Sequence, residues 1–310
     1  MWADTASVFK QLGRSTLMER TVPSSRGTTS SRALEADHAE FRDAFNVRSC
    51  ALKHNLVGHP LFELPRIVEL AGRLPEKDIF NSDASKKVDQ GFNRDRKTQV
   101  SAADAIARIE QSGSWVVLKR VEQDPAYREL LDQCVREIVE LAGGRLNPSS
   151  IISRESFVFV TSPGHTTPFH IDPQWSVLLQ IRGHKTYKIF DQTDETVISE
   201  AEIEKLYLGN FNSATYAPDK ENKGATYELE PGDAAQQPVH APHWAKVGSQ
   251  FSISYSIALV TREWAQNGVG YRVNSRLRRM GFVPSRIGRS PLKDKAKIFA
   301  GRVADRLRIL

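Results

Sequence analysis

The residues best equipped for chemistry are Thr166-Thr167-Pro168-Phe169-His170-Ile171-Asp172, then Lys185 thirteen positions after Asp172, and finally Pro242-His243-Trp244. Two histidines and one carboxylate can grip an iron ion on one face. Three coordination positions then stay free for a chelating co-substrate and for O₂. That chemistry is oxygenation. It needs His170, Asp172 and His243 on converging elements, with Lys185 close enough to meet an anion.

The triplet carries little weight alone. A chain with 8 His and 37 acidic residues among 310 contains roughly one His-x-Asp/Glu triplet by chance, and a second one, His38-Ala39-Glu40, is present. Context separates them. Ser156-Phe157-Val158-Phe159-Val160 and Ser176-Val177-Leu178-Leu179-Gln180-Ile181 flank the first as short β-type runs, with Ser162-Pro163-Gly164 as punctuation. The second sits in Ala33–Phe45, whose charged helical composition suits a solvated face.

Arg182-Gly183 has the glycine of a tight hairpin. Strand alternation beyond it places Lys185, Tyr187 and Ile189 on a buried face and His184, Thr186 and Lys188 on a wet one. A lysine on a buried face is costly unless an anion meets it. Lys185 therefore either snorkels to the sheet edge, pairs with an internal carboxylate, or cradles the distal carboxylate of 2-oxoglutarate with Thr167 as a second donor.

The run from about Ser153 to Val260 resembles the cupin-type Jumonji-C (JmjC) oxygenases, particularly the branch containing the asparaginyl hydroxylase of the hypoxia response. The resemblance rests on Thr167-Pro168-Phe169-His170-Ile171-Asp172, Gln180-Ile181-Arg182-Gly183-His184-Lys185, Gly232-Asp233, Pro238 and His243, in order and at matching spacing over roughly a third of the chain. It implies a mainly β fold with flanking helices around a double-stranded β-helix (cupin, jelly-roll) core. It further implies that His170, Asp172 and His243 bind Fe(II), that Lys185 and Thr167 hold 2-oxoglutarate, and that Ser176 is a polar pocket residue. The activity implied is hydroxylation by a 2-oxoglutarate-dependent dioxygenase, or demethylation where the attacked carbon is bonded to nitrogen. Two features depart from the pattern. Ala234-Ala235-Gln236-Gln237 replaces an apolar segment, and His240 precedes His243 as a second distal histidine, either a ligand or a donor behind the ligands.

Phe251-Ser252-Ile253-Ser254-Tyr255-Ser256-Ile257-Ala258-Leu259 alternates large apolar with small residues. In a half-exposed strand the serines would face water. In a barrel that holds a metal and a dicarboxylate they would line the cavity, making Ser254 and Ser256 donors to the co-substrate.

Composition bounds the rest. At 310 residues and 40% hydrophobic content the chain can bury a substantial core, no apolar run reaches membrane-spanning length, and Cys50 and Cys134 are too few for a disulfide framework, so a cytoplasmic location is expected. Four parts follow: a polar arm (1–46), a mixed helix and strand segment (47–152), the barrel (153–260) and a basic helical tail (261–310). Residues 271–310 hold 12 Lys/Arg against 2 Asp/Glu. Within them Ala296, Phe299, Ala300, Val303, Leu307 and Leu310 recur at helical spacing, which suits packing on the barrel or a homodimer through C-terminal helices, ahead of anionic lipid or nucleic acid. Two other classes compete with the oxygenase: a barrel that binds without catalysing, using its basic tail on nucleic acid, and a cupin metalloenzyme that does not use 2-oxoglutarate. Lys185 and Thr167 argue against the latter. The primary substrate, whether peptide, amino acid or natural-product scaffold, is not written in any motif.

Overall fold

The computed structural model describes residues 32–82, 87–91 and 100–307. The beginning of the expected polar arm (1–31) and the last residues of the tail (308–310) lie outside them. The described strands are β1 (Leu34–Glu35), β2 (Cys50–His54), β3 (Ile79–Ser82), β4 (Trp115–Lys119), β5 (Ile151–Thr161), β6 (Thr166–His170), β7 (Trp175–Arg182), β8 (Lys185–Phe190), β9 (Gly224–Leu229), β10 (Asp233–Gln237), β11 (His243–Val247) and β12 (Ser252–Thr261).

They form two antiparallel sheets, one ordered β1-β2-β10-β7-β12-β5-β4-β3 and the other β6-β11-β8-β9. From β5 onward the chain steps back and forth between the sheets, so that β5, β7, β10 and β12 lie on one wall and β6, β8, β9 and β11 on the other. This strand order is that of a double-stranded β-helix. The strands β1 to β4 widen the first wall at both edges.

Helices cover the outer face of the larger sheet. The principal one, α4, spans Pro125–Ala142, after α1 (His38–Ala44), α2 (Leu64–Arg73) and α3 (Ala102–Ala107). Asp124 caps α4 by accepting from the Ala126 N–H, Pro125 presets its first turn, and Gly143 ends it at φ +48°. Tyr127, Leu131, Cys134 and Ile138 are buried in the same core as Val158, Val177, Tyr255 and Ile257 of the sheet. Residues 32–46 belong to this core as well: Phe41 and Ala44 are fully buried, and Glu137 accepts from the N–H groups of Ala33 (3.1 Å) and Leu34 (2.7 Å). His38 and Glu40 are exposed on α1, so the second triplet is a solvated face, as expected.

Three further helices follow: α5 (Glu200–Tyr207), between β8 and β9, then α6 (Arg262–Arg279) and α7 (Pro291–Arg306) after the barrel. Gly301 lets α7 approach α6, since a Cβ there would lie 2.5 Å from Val269 Cγ1, and Arg272 clamps Asp305 through two bonds of 2.9 and 2.7 Å. The expected packing of the apolar tail stripe on the barrel is not what forms. Phe299 is 71% exposed, Val303 40% and Leu307 64%. The side of α7 that carries Gly301, Ile298 and Asp305 meets α6 instead, with Gly301 permitting the closer contact.

Two other expectations change. Arg182-Gly183 does not join hairpin partners: β7 and β8 belong to different sheets, and the turn carries the chain from one wall to the other. Gly183 stands at φ +72°, where a Cβ would come within 2.3 Å of the Phe251 carbonyl oxygen, so the crossing requires glycine. Lys188 is buried rather than wet, because the segment preceding β9 folds over it and Glu221 meets its ammonium at 2.8 Å.

Candidate metal centre

The smaller sheet brings the histidines together through its register. β11 pairs with β6 so that His243 lies opposite His170. Their ring centroids are 4.0 Å apart. Asp172, two residues beyond the end of β6, turns back toward them, with Oδ2 3.8 Å from His170 Nε2 and 3.7 Å from His243 Nε2. One ligand atom from each of the three lies within 4.8 Å of the others, and all three residues are buried.

The ring orientation suits a metal. His170 Nδ1 lies 2.7 Å from the Pro168 carbonyl and His243 Nδ1 3.0 Å from that of Ala241. With the proton on Nδ1, each Nε2 lone pair points at the shared space. Burial and the neighbouring His170 hold His243 well below the ordinary imidazole pKa, so it is neutral and able to donate its lone pair. Burial raises Asp172, opposed by His170 and the Gln237 side chain. Its Oδ1 is buried without a hydrogen-bond partner. A carboxylate oxygen in that condition is costly unless a cation meets it, so the donor set fits a divalent metal.

The triad opens on a cleft between the two walls, which Thr167, Ser176, Lys185, Tyr187, Gln237 and Ser256 also line. Its floor follows from the alternation in β12. Ile253, Tyr255, Ile257 and Leu259 face the helix-covered core, leaving Ser254, Ser256 and Ala258 toward the cleft. All ten residues of β12 are buried, so the serines line an interior rather than meeting water.

Lys185 lies at the opposite end of the cleft from the triad. On β8 it stands opposite Val247, whereas Ile189 stands opposite His243. Four residues of strand separate the two levels, about 13 Å. The Lys185 ammonium donates to Ser254 Oγ (2.5 Å), and Ser254 in turn donates to Gln180 Oε1 (2.7 Å). Its side chain is buried with no carboxylate in contact among the described residues, and desolvation lowers its pKa to about 7. Of the routes open to Lys185 in the sequence, neither snorkelling nor an internal ion pair is realised among the described residues.

His240 is not part of the cluster. Its Nε2 meets the Tyr207 hydroxyl at 2.8 Å, its ring packs edge-on against Tyr271, and burial pushes its pKa down to about 3. Its backbone, at φ +64°, instead donates N–H to the Asp172 carbonyl at 3.0 Å. As an alternative ligand it is excluded by this geometry, and as a donor behind Asp172 it acts through its main chain.

Sequence reasoning passed over several residues here. Gln236 and Gln237 are almost fully buried and face opposite ways. Gln236 accepts from Trp175 Nε1 at 2.6 Å and donates to the Ala44 carbonyl at 3.1 Å, tying β10 to α1. Gln237 accepts from the Tyr187 hydroxyl beside the triad. Gln174, 1% exposed, also lines the cleft. The signal available was a pair of amides inside a strand, since only internal partners make such burial tolerable.

A double-stranded β-helix with two histidines and an aspartate converging on its cleft is therefore the class that the fold and site define. No family model matches the sequence. No curated protein matches it either. Among solved structures, the ribosomal oxygenase YcfD from Escherichia coli in complex with cobalt and 2-oxoglutarate is similar at 15% identity, over 89% of this chain and 69% of that chain, with a TM-score of 0.48. The same enzyme in complex with cobalt and succinic acid gives 14% identity, 87% and 66% coverage, and a TM-score of 0.46. This chain thus spans about two thirds of the length of those chains. Likeness of that size carries no functional argument, and the fold rests on the strand order itself.

Proposed function

We propose that this chain is an Fe(II)- and 2-oxoglutarate-dependent oxygenase that hydroxylates an unactivated C–H bond of a peptide, amino-acid or natural-product substrate. The observation that carries the reading is the pairing, in one cleft, of a buried His170, Asp172 and His243 cluster with a buried lysine that has no carboxylate partner among the described residues. A structural lysine would have been given its anion by the fold. Lys185 has instead a hydroxyl relay to Gln180 and open space toward the triad.

His170, Asp172 and His243 would hold the iron, which when bound supplies O₂ activation coupled to oxidation of 2-oxoglutarate to succinate and CO₂. Lys185 would bind the far carboxylate by a charge-assisted hydrogen bond in a water-poor pocket. Thr167 and Ser256, lining the intervening stretch, would donate to it. Ser254 holds the ammonium, and Ser176 borders the space next to the triad. The apolar walls exclude water, and the Nδ1 bonds to Pro168 and Ala241 keep both rings aimed at the metal.

The same reading takes the exposed stripe of α7 as a self-association surface and the protein as cytoplasmic, where two free, buried cysteines stay reduced. The test is an anaerobic titration of the Fe(II)-loaded protein with 2-oxoglutarate. A visible charge-transfer band and succinate release on admitting O₂ are expected. A protein that binds iron but yields neither is not a 2-oxoglutarate oxygenase.

A further inference from the structure

The turn between α6 and α7 carries apolar side chains out into water on fixed stems. Gly281 ends α6 at φ +88°, its N–H donating to the Arg278 carbonyl (3.1 Å) and the Phe282 N–H to the Leu277 carbonyl (3.0 Å). In a helix stop of this kind the residue after the glycine ordinarily packs back on the last turn. Phe282 does not. It stays 61% exposed, Met280 before it is equally uncovered, and Val283 after it is 91% exposed.

The returning stem is held by internal bonds. Asn274 on α6 donates to the Ser285 carbonyl at 3.1 Å, and the Ile287 N–H reaches Glu200 Oε1 on α5 at 2.8 Å. The Ile287 side chain is buried against Gly270. Apolar side chains scattered singly on a surface are ordinary. Three at one turn, including the most exposed large apolar residue among those described, form a patch suited to a partner.

Charge identifies the partner. From Tyr271 to Lys293 the sequence holds seven Lys/Arg and no Asp/Glu. Arg272, Arg278 and Arg286 are paired with Asp305, Glu204 and Glu195. Arg276, Arg279 and Arg289 are exposed and have no acidic partner among the described residues. A second copy meeting this turn about a twofold axis would set those arginines against their own kind. A nucleic-acid backbone would engage the arginines and leave Met280, Phe282 and Val283 in water. An anionic lipid surface engages both, because apolar side chains enter the acyl boundary while arginines stay among the headgroups.

We propose that the α6–α7 turn docks the protein peripherally on an anionic lipid bilayer, with Met280, Phe282 and Val283 inserted and Arg276, Arg279 and Arg289 on the headgroups. The attachment uses none of the α7 stripe and does not depend on the oxygenase reading.

The test is cosedimentation of the full chain with vesicles of phosphatidylcholine alone and of phosphatidylcholine mixed with phosphatidylserine. Binding is expected only to the mixed vesicles, and it should weaken at about 0.5 M NaCl. Phe282→Ser should weaken it at least about tenfold, the effect of losing one inserted phenyl ring. Arg276→Gln combined with Arg279→Gln should weaken it by about ten- to thirtyfold, at about fivefold for each charge. Val283→Ser serves if Phe282→Ser does not fold. No binding to the mixed vesicles, equal binding to both kinds, or binding unchanged in Phe282→Ser and Val283→Ser would overturn the proposal. Self-association of the chain that Phe282→Ser abolishes, or binding to RNA or duplex DNA in place of vesicles, would overturn it as well.

Discussion

Replacing Lys185 by methionine should make the protein more stable and at the same time deprive it of its co-substrate. Burial lowers the Lys185 pKa from 10.5 to about 7. A difference of that size corresponds to a ceiling of about 5 kcal/mol, at about 1.4 kcal/mol per unit. The folded-state pKa lies below the unfolded one, so between about pH 7 and 10.5 the unfolded chain holds the extra proton. Stability therefore rises with pH across that window, and the whole penalty is felt below pH 7. Methionine keeps the stem that runs past Phe159, whose ring centroid is 5.9 Å from the ammonium, and removes the charge. Ser254 retains its bond to Gln180. After relaxation of the pocket, a gain of about 1–4 kcal/mol is expected at pH 6. The gain should shrink toward about 1 kcal/mol at pH 9.5, where the wild-type lysine is neutral when folded. Urea denaturation of both proteins at the two pH values measures it, and taking their difference cancels the other titrating groups. Added 2-oxoglutarate should stabilise the iron-loaded wild type but not the variant, since a charge-assisted bond of about 1.5–3 kcal/mol is roughly ten- to hundredfold in affinity. A variant that is less stable at pH 6, keeps the pH slope, and binds 2-oxoglutarate normally would refute the reasoning and make Lys185 a structural residue.

Three further outcomes are expected. His170→Ala, Asp172→Ala and His243→Ala should each strongly reduce Fe(II) content by metal analysis, whereas His240→Ala, which leaves its backbone bond to Asp172 in place, should reduce it far less. Gly183→Ala should destabilise by about 1–3 kcal/mol in thermal or urea denaturation, because an alanine would be held at positive φ with its Cβ against the Phe251 carbonyl. Deleting residues 291–310 should lower thermal stability by uncovering the α6 surface around Val269 and Val273, and should convert any dimer to monomer in sedimentation, while nucleic-acid affinity, if measurable, should fall steeply with salt. A truncated protein of unchanged mass and stability that had lost tight, salt-resistant nucleic-acid binding would give the tail a regulatory role instead.

Local pattern determined a good deal of this protein. The period-2 alternation of Phe251–Leu259 placed Ser254, Ser256 and Ala258 on one side of β12, and the side they share is the cleft. Alternation likewise put Lys185 with Tyr187, and Asp124, Pro125 and Gly143 bounded α4 through capping chemistry carried by a few neighbouring residues. His170 and Asp172 could be singled out because they end a strand and enter a turn. Periodicity, though, states only which side of an element a residue occupies, and the object covering that side comes from distant chain. Lys188 has the alternation of a wet residue and is buried because Glu221, 33 residues on, folds over it. His240 and His243 are near neighbours of one type, and only the left-handed backbone at His240 sends its ring to Tyr207 while the β6–β11 register sets His243 on His170. Gln236 and Gln237 read as a polar interruption until α1 and Tyr187 supply their partners. The row of Gln237, Ser176 and Ala258 along the cleft exists only once β10, β7 and β12 are side by side, because a hydrogen-bonded sheet brings into one row residues that the chain keeps far apart.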